Sequence, residues 1–541
     1  MTRNAEPRSA RSWPFAVSGA LAAALLLGIA EIASALFSPA SSPLVAVGAA
    51  FIDITPAWLK DFAIDVFGTA DKLVLMVSMG VVALALAAVL GLIARRRPAL
   101  ASLLCAAIAV LLGAAVLSRP ATGVIDLLPT VLGGVAGIAA LNWLVRLAHR
   151  RTDANDAAPS TGVNGAAPIT GTEPAAGAAS GSQRPEAARR TFLIGAGLTA
   201  VVAVATMAGG RALSAVSTAA VATRDALRLP GARRTAAPLP PGVDAPAPGM
   251  PPFVTPNGDF YRIDTALAVP RIDPSTWELR VHGMVEEEFT LSFTELLEMD
   301  LQESWVTLTC VSNPVGGDLA GNAKWLGYPL RDLLARARPQ EGADMVLSTS
   351  VDGFSASSPL EVLTDGRDAL LAVGMNGEPL PLEHGFPVRM VVPGLYGYVS
   401  ATKWVVDLEV TRFADKTAYW TDRGWSERGP IKLASRIDVP RGFEAVPAGA
   451  TVLGGTAWSQ TIGIDRVQVQ VDDGAWQDAT LAAEATVDTW RQWSLDWEGE
   501  PGNHTARVRA VNRDGEVQTA ERADTVPDGA SGWHEVQFRV E

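Results

Sequence analysis

The sequence predicts three parts in succession: a multi-span α-helical membrane region, an α+β domain and an immunoglobulin-like β-sandwich. Three observations predict this order. Apolar residues make up 48% of the 541-residue chain, and the excess lies before residue 210. From about residue 260 to 413, short strand-like and helix-like runs are mixed. After Pro430, short alternating strands are broken at regular spacing by Asp473-Gly474, Pro501-Gly502 and Asp514-Gly515.

Five apolar segments are long enough to span a bilayer: Phe15–Phe37, Lys72–Ala94, Ala99–Leu117, Val124–Ala148 and Thr191–Ala208. Glu31, Asp126 and Asn142 interrupt them too sparsely for a transport path. The mixed stretch Leu44–Gly68 reads as a surface-lying amphipathic segment. Arginines precede the first segment, separate the second from the third, end the fourth and precede the fifth. Counted alternately, these clusters share one face. The N terminus is therefore expected in the cytoplasm of a multi-pass plasma-membrane protein, with everything after residue 210 outside. Residues 1–150 then hold four spans. Residues 151–188, rich in Ala, Gly, Ser, Thr and Pro, read as a disordered cytoplasmic linker. Residues 189–210 form the fifth span, and 211–256 a Pro/Gly-rich tether. Arg189-Arg190-Thr191-Phe192-Leu193 reads either as a positive-inside flank or as a twin-arginine export signal. The weakly hydrophobic Gly/Ala-rich segment that follows favours export, a route that carries folded proteins already loaded with cofactor.

Lys and Arg number 44 against 57 Asp and Glu, a net charge of −13 with no basic face, which argues against a nucleic-acid partner. Of two cysteines, Cys105 lies in an apolar run, so no disulfide framework is expected.

In the α+β part, Trp277–Val281, Val306–Cys310, Met345–Ser350, Val388–Val392 and Val405–Val410 alternate as strands. Ser292–Glu298, with a Ser292…Glu295 capping box, and Leu330–Ala337 read as helices. Cys310 stands where a strand opens into a Gly/Asn/Pro loop. By residue type it is either a small buried apolar group or a thiolate for a soft, redox-active metal. Downstream, Asn376–Leu380, His384–Arg389 and Val392–Lys403-Trp404 place His, Arg and Lys among glycines and prolines. Such a block either binds an anion or makes tight turns with solvated charges. In the sandwich, Trp458, Trp476, Trp490, Trp493 and Trp497 read as packing.

Taken in order, Phe260-Tyr261-Arg262, Thr307–Asn313 around Cys310, Trp325–Leu330, and Asn376 through Lys403-Trp404 resemble the sulfite oxidase family of molybdenum-cofactor oxidoreductases. The resemblance runs from about Phe260 to the C terminus. It implies a molybdopterin-binding domain over 257–428 and a dimerisation-type sandwich over 429–541. It implies Cys310 as the molybdenum ligand and catalytic centre. His384, Arg389 and Lys403 would hold the phosphate and pterin, with backbone help from Ala401 and Thr402. Tyr261 and Arg262 would line the pocket near the metal, Arg262 also acting in catalysis, and Asp352 would contact the pterin. Where that family carries a Cys-x-Gly-Asn-Arg-Arg run, this chain reads Cys310-Val311-Ser312-Asn313-Pro314-Val315. The family's substrate-side tyrosine falls near Trp425, leaving Arg262, Arg423 and Arg428 as candidate substrate cations. The expected chemistry is two-electron oxygen-atom transfer, on sulfite or on a neutral sulfoxide or N-oxide. No haem-attachment motif occurs, so no haem is expected, and electrons go to a separate carrier or a membrane partner. The alternative from another class is a non-catalytic cell-surface module.

Overall fold

The computed structural model describes residues 12–35, 41–55, 66, 71–119, 122–156, 183–215, 218–266 and 269–541. The chain divides into two units, Met1–Thr218 with Ala266–Ala268, and Ala219–Thr265 with Val269–Glu541.

Among the described residues of the first unit, five helices are long and apolar enough to cross a membrane: Trp13–Ser34, Val74–Ala94, Pro98–Leu117, Val124–Asp153 and Glu186–Gly210. Alanine, leucine and valine dominate them, and prolines occur only near their starts, where a missing N–H costs nothing. Trp13–Ser34 packs against Leu128–Asp156, Gln183–Ala215 and Asp71–Ala94. The last contact depends on two glycines. A Cβ on Gly19 would collide with the Ala87 carbonyl oxygen, and one on Gly91 with that of Phe15, so the backbones touch directly. Large apolar side chains point outward, with Leu103 67%, Val110 71% and Val204 69% exposed. Such faces suit lipid and would be penalised in water. The polar interruptions are satisfied: Ser42 donates to Glu31, the Gly123 N–H to Asp126, and Asn142 to Ser102 and to the Ile138 carbonyl.

The expectation for the 151–188 linker changes at its ends. Helices reach Asp156 and restart at Gln183, so both ends of the 151–188 linker are helical. The backbone ladder continues past the apolar boundary because each added residue gains a hydrogen bond. Residues 157–182 lie outside the described residues. Of Leu44–Gly68, Pro43–Ile54 is a helix, while 56–65 and 67–68 lie outside them.

The second unit holds four sheets. One runs Phe289–Ser292, Glu278–Gly283, Val405–Thr411, Met345–Ser350, Ser355–Pro359, with Glu278–Gly283 parallel to Val405–Thr411. Its core includes Trp277, Leu279, Leu291, Leu333 and Leu408, all buried. The Ser292–Glu295 capping box starts the Phe293–Glu298 helix as expected. A second sheet runs Gln302–Thr309, Ala320–Pro329, Leu370–Met375, Glu378–Pro379, and Arg389–Val391 also pairs with Leu370–Met375. The C-terminal region is β-rich. Ala434–Val439, Gly449–Trp458, Arg491–Gly499 and Thr480–Leu481 form one sheet. Ala445–Val446, His534–Val540, Gly502–Asn512, Ile464–Val471 and Gln477–Asp478 form the other. Leu453, Val467, Trp493, Val508 and Phe538 make a shared core. Asp473-Gly474 closes a hairpin, whereas Pro501-Gly502 carries the chain from one sheet to the other.

The expected tether is not free. Thr218–Ala226 is helical, and the Pro-rich stretch after it is pinned. The Arg233 N–H donates to the Leu301 carbonyl, and Arg234 accepts from the Glu303 N–H. Phe253 is buried, and its carbonyl accepts from the Asn322 amide and the Trp490 indole. An extended backbone has no internal partners, so its polar groups pair with neighbouring edges.

Candidate active site

Cys310 is the first residue beyond the strand Gln302–Thr309. That strand pairs along one edge with Ala320–Pro329. Its other edge is closed by the C-terminal region. The Thr307 N–H donates to the Asp488 carbonyl at 3.0 Å, and Thr307 Oγ1 accepts from the Trp490 N–H at 2.8 Å. Gln460 donates to the Thr307 carbonyl. The loop after Cys310 is held at both ends. The Cys310 N–H donates to the Leu319 carbonyl at 2.9 Å, and Asn313 Oδ1 accepts from the Leu319 N–H at 2.9 Å. Arg436, in a buried ion pair with Asp438, donates to the Gly317 carbonyl at 3.0 Å. The His534 ring lies against Gly316, whose φ of +79° and lack of a Cβ allow that approach.

Cys310 opens onto a cavity enclosing about 880 Å³, including the space at its mouth. Tyr261, Asp264, Asp352, His384, Arg389, Ala401 and Lys403 share its wall. Burial raises the Cys310 thiol, while hydrogen bonds from the Ser312 backbone N–H and hydroxyl favour the thiolate. Burial also raises Tyr261 far above the usual phenol range, Cys310 adds to this, and Arg389 opposes it. The Tyr261 ring stacks on Phe260, with centroids 5.3 Å apart.

The cations are unusually placed. Arg389 is 5% exposed and lies 5.0 Å from the Trp325 ring. Among the described residues its guanidinium donates only to the carbonyls of Met390, His384 and Ala401. Among the described residues no carboxylate pairs with it. Burial lowers it to about 10, with Tyr261 opposing. Lys403 is 9% exposed, and its Nζ donates to Asp264 Oδ2 at 2.7 Å and to the Glu383 carbonyl at 3.1 Å. Burial lowers Lys403 to about 8, and Asp264 resists that fall. The His384 Nε2–H donates to the Asn257 carbonyl at 3.2 Å. Burial first, then Arg389 and Lys403, lower His384 to about 4, so it is neutral at ordinary pH. A buried guanidinium without a carboxylate, beside a buried ammonium, lacks a counter-anion. These groups fit a phosphate, and Cys310 fits a soft metal. Among the described residues no cluster of three or more His, Cys, Asp or Glu could hold a metal.

Three expectations need correction. Arg262 is not in the wall: its Nε donates to Asp264 Oδ2 at 2.8 Å, and its side chain is 39% exposed. The Ala401 N–H is taken by the Gly397 carbonyl, whereas the 2.7 Å hydrogen bond between Thr402 and Ser348 involves the Thr402 hydroxyl and leaves its backbone role untouched. Arg423 and Arg428 are also absent from the wall. Arg423 donates to the Tyr419 carbonyl and lies 3.6 Å from that ring's centroid, and Arg428 pairs with Glu361. In each case a local acceptor claims the polar group before the cavity can.

Other wall residues went unread in the sequence. Asp264, 5% exposed, joins Arg262 to Lys403. Tyr398, Trp420 and Phe354 line the cavity with Trp425. Tyr398 and Trp420 lie 5.8 and 6.2 Å from Trp425, making an aromatic flank.

The oxidoreductase molybdopterin binding domain family matches residues 266–420. Sulfite oxidase of Gallus gallus is 31% identical over 315 residues, covering 49% of this chain and 68% of that protein. Mitochondrial sulfite oxidase of Homo sapiens is 32% identical over 292 residues, covering 45% of this chain and 53% of that protein. The uncharacterized oxidoreductase YuiH of Bacillus subtilis is 33% identical over 157 residues, covering 29% and 76%. Among solved structures, the sulfane dehydrogenase SoxCD of Paracoccus pantotrophus is similar at 25% identity. It covers 50% of this chain and 76% of that one, with a TM-score of 0.45. The chain spans about half the length of the mitochondrial sulfite oxidases it matches, 53%. The motif order around Cys310, the domain match and this similarity to chicken sulfite oxidase make the chain a member of the sulfite oxidase family of molybdopterin-binding oxidoreductases.

Proposed function

We propose that this chain is a membrane-anchored, extracytoplasmic molybdenum-cofactor oxidoreductase. The observation that carries this reading is Arg389, buried without a carboxylate in the same cavity wall as Lys403 and the Cys310 thiol. Cys310 ligates the metal. Arg389 and Lys403 hold the cofactor's phosphate, neutral His384 holds the pterin by hydrogen bonding, and Tyr261 and Asp352 contact it from the wall. Arg262 acts through Asp264, which steadies the Lys403 ammonium. The bound molybdenum supplies a two-electron couple for oxygen-atom transfer. The chain's own part is to orient substrate against the aromatic flank, keep water from the thiolate and stabilise it through Ser312. Electrons leave to a separate carrier or membrane redox partner.

The five apolar helices support anchoring in the plasma membrane. The twin-arginine-like signal supports export after cofactor loading. The domain boundaries given above, an immunoglobulin-like type for the C-terminal sheets and a homodimer formed through them belong to the same reading. A second reading concerns substrate. Arg262, Arg423 and Arg428 all lie outside the wall, which favours a neutral sulfoxide or N-oxide over doubly charged sulfite.

Molybdenum and oxidised-pterin content of protein made in a cofactor-competent host tests the function. Cys310→Ser is expected to lose the metal and activity while keeping part of the pterin on Arg389 and Lys403. Full metal and activity in Cys310→Ser, or no pterin in the unmutated chain, would overturn it. Steady-state assays with sulfite and with dialkyl sulfoxides decide the substrate.

A further inference from the structure

The helical unit carries a cationic cluster that the proposed chemistry does not use. Arg95 ends one helix and begins the turn into the next, while His149 of Leu128–Asp156 hydrogen-bonds through Nε2 to the Arg95 carbonyl at 3.1 Å. Arg151, at the end of Leu128–Asp156, lies 4.5 Å from the Trp13 ring and 5.6 Å from the Phe192 ring. Arg189 is within electrostatic reach of Arg151. Arg95 in turn lies 5.5 Å from the Phe15 ring. Arg96, Arg97, Arg146, Arg150 and Arg190 belong to the same helix ends.

Among the described residues, no carboxylate pairs with any of these arginines. Asp153 and Glu186, on the same two helices, are exposed and pair with none of them. The Nη1 atom of Arg151 is buried and has no hydrogen-bond partner among the described residues. A desolvated guanidinium N–H flanked by aromatic rings and like charges needs a counter-anion. An aromatic girdle beneath arginines is the pattern of a bilayer's headgroup level. The anion abundant at that depth is a phosphodiester oxygen of a phospholipid, which Arg recognises with its planar fork.

We infer that Arg151, framed by Trp13 and Phe192 and supported by Arg189, is a seat for a phosphate oxyanion, supplied by an anionic phospholipid headgroup. The inference rests on the proposed membrane anchoring. Its test uses the full chain in nanodiscs of phosphatidylcholine alone and of an equal mixture with phosphatidylglycerol, read by native mass spectrometry and thermal denaturation. The wild-type chain is expected to retain phosphatidylglycerol in preference to phosphatidylcholine and to melt higher in the mixture. Arg151→Gln, which leaves the Arg189-Arg190 pair intact, is expected to lower that retention ratio about tenfold. Arg146→Gln, exposed on the same helix, is expected to lower it no more than a few-fold. Circular dichroism confirms that each variant keeps its helices, and loss of helicity in Arg151→Gln moves the comparison to Arg151→Lys, expected to restore most of the preference. Adding inorganic phosphate to the phosphatidylcholine sample separates the sources: full restoration of the melting temperature assigns the seat to a free anion. Equal losses in Arg151→Gln and Arg146→Gln mean a diffuse field and overturn the seat, as does equal melting in the two lipids. A chain that never enters nanodiscs overturns the anchoring itself, and the seat with it.

Discussion

Asp264→Asn isolates what the buried Lys403–Asp264 pair does. Lys403 sits at about 8 because burial lowers it and the Asp264 carboxylate, 2.7 Å from Nζ, holds it up. A charge-assisted hydrogen bond contributes about 1.5–3 kcal/mol, or about one to two pKa units. Asparagine keeps the shape and removes the charge, so Lys403 falls below about 8 by that amount. At about pH 7.5 it is then mostly neutral, and pterin retention is expected to drop about tenfold and to recover toward about pH 6. In the unmutated chain, retention is expected to be flat below about pH 8 and to fall about tenfold per unit above it, because phosphate binding needs the ammonium. The cofactor-free protein has the opposite slope. The folded value of Lys403 lies below its ordinary 10.5. The unfolded chain therefore binds more protons between about 8 and 10.5, and stability rises with pH across that window by at most about 3 kcal/mol. Oxidised-pterin fluorescence after gel filtration across pH, with urea melts of the cofactor-free protein, measures both slopes. Equal pterin in Asp264→Asn and the unmutated chain near neutral pH would refute the pairing as the source of the charge.

Two further predictions follow from buried groups. Burial first, and nearby arginines second, hold both His384 and His534 at about 4, below the ordinary 6.5. The unfolded chain takes up these protons first, so stability is expected to be lost as pH falls from about 6.5 toward 4, by up to about 3 kcal/mol for each ring. Melting temperatures across that range should show His534→Asn removing about half of the loss, and an unchanged slope would contradict the assignment. Arg436→Met strands the Asp438 carboxylate and is expected to cost about 3–5 kcal/mol, most of which returns in the double variant with Asp438→Asn. Both variants lose the bond to the Gly317 carbonyl, so Cys310 should react faster with a thiol reagent. Labelling rates equal to the unmutated chain would mean that Arg436 does not steady the loop.

What the sequence revealed was largely what neighbouring residues decide. Runs of alanine, leucine and valine near twenty residues long are helices, and Val306, Leu308 and Cys310 alternate where a strand ends. The Ser292–Glu295 box caps its helix. What stayed hidden depends on distant partners. Asp264 went unread, because the residue it serves, Lys403, lies 139 positions away. The strand Ala320–Pro329 escaped notice because it is buried on both faces and so does not alternate. The stretch around Phe253 read as a tether because proline content reports local stiffness and says nothing about the Asn322 and Trp490 donors that fix it. Arg423 and Arg428 counted as available cations until Tyr419 and Glu361 claimed them.

The closed edge of the strand before Cys310 has a consequence for the order of synthesis. A nascent chain that has reached Trp404 already contains the thiol, the buried cations and most of the cavity wall. It still lacks Gln460, Asp488 and Trp490, which complete the strand's second edge, and Arg436 and His534, which brace the following loop. Until those residues are made, the strand ending at the thiol has an open edge, and such edges invite pairing with other chains. Completion of the last domain therefore times when the thiol becomes fixed. A chain cut short after Trp404 would carry nearly every wall residue and still have no settled place for the thiol.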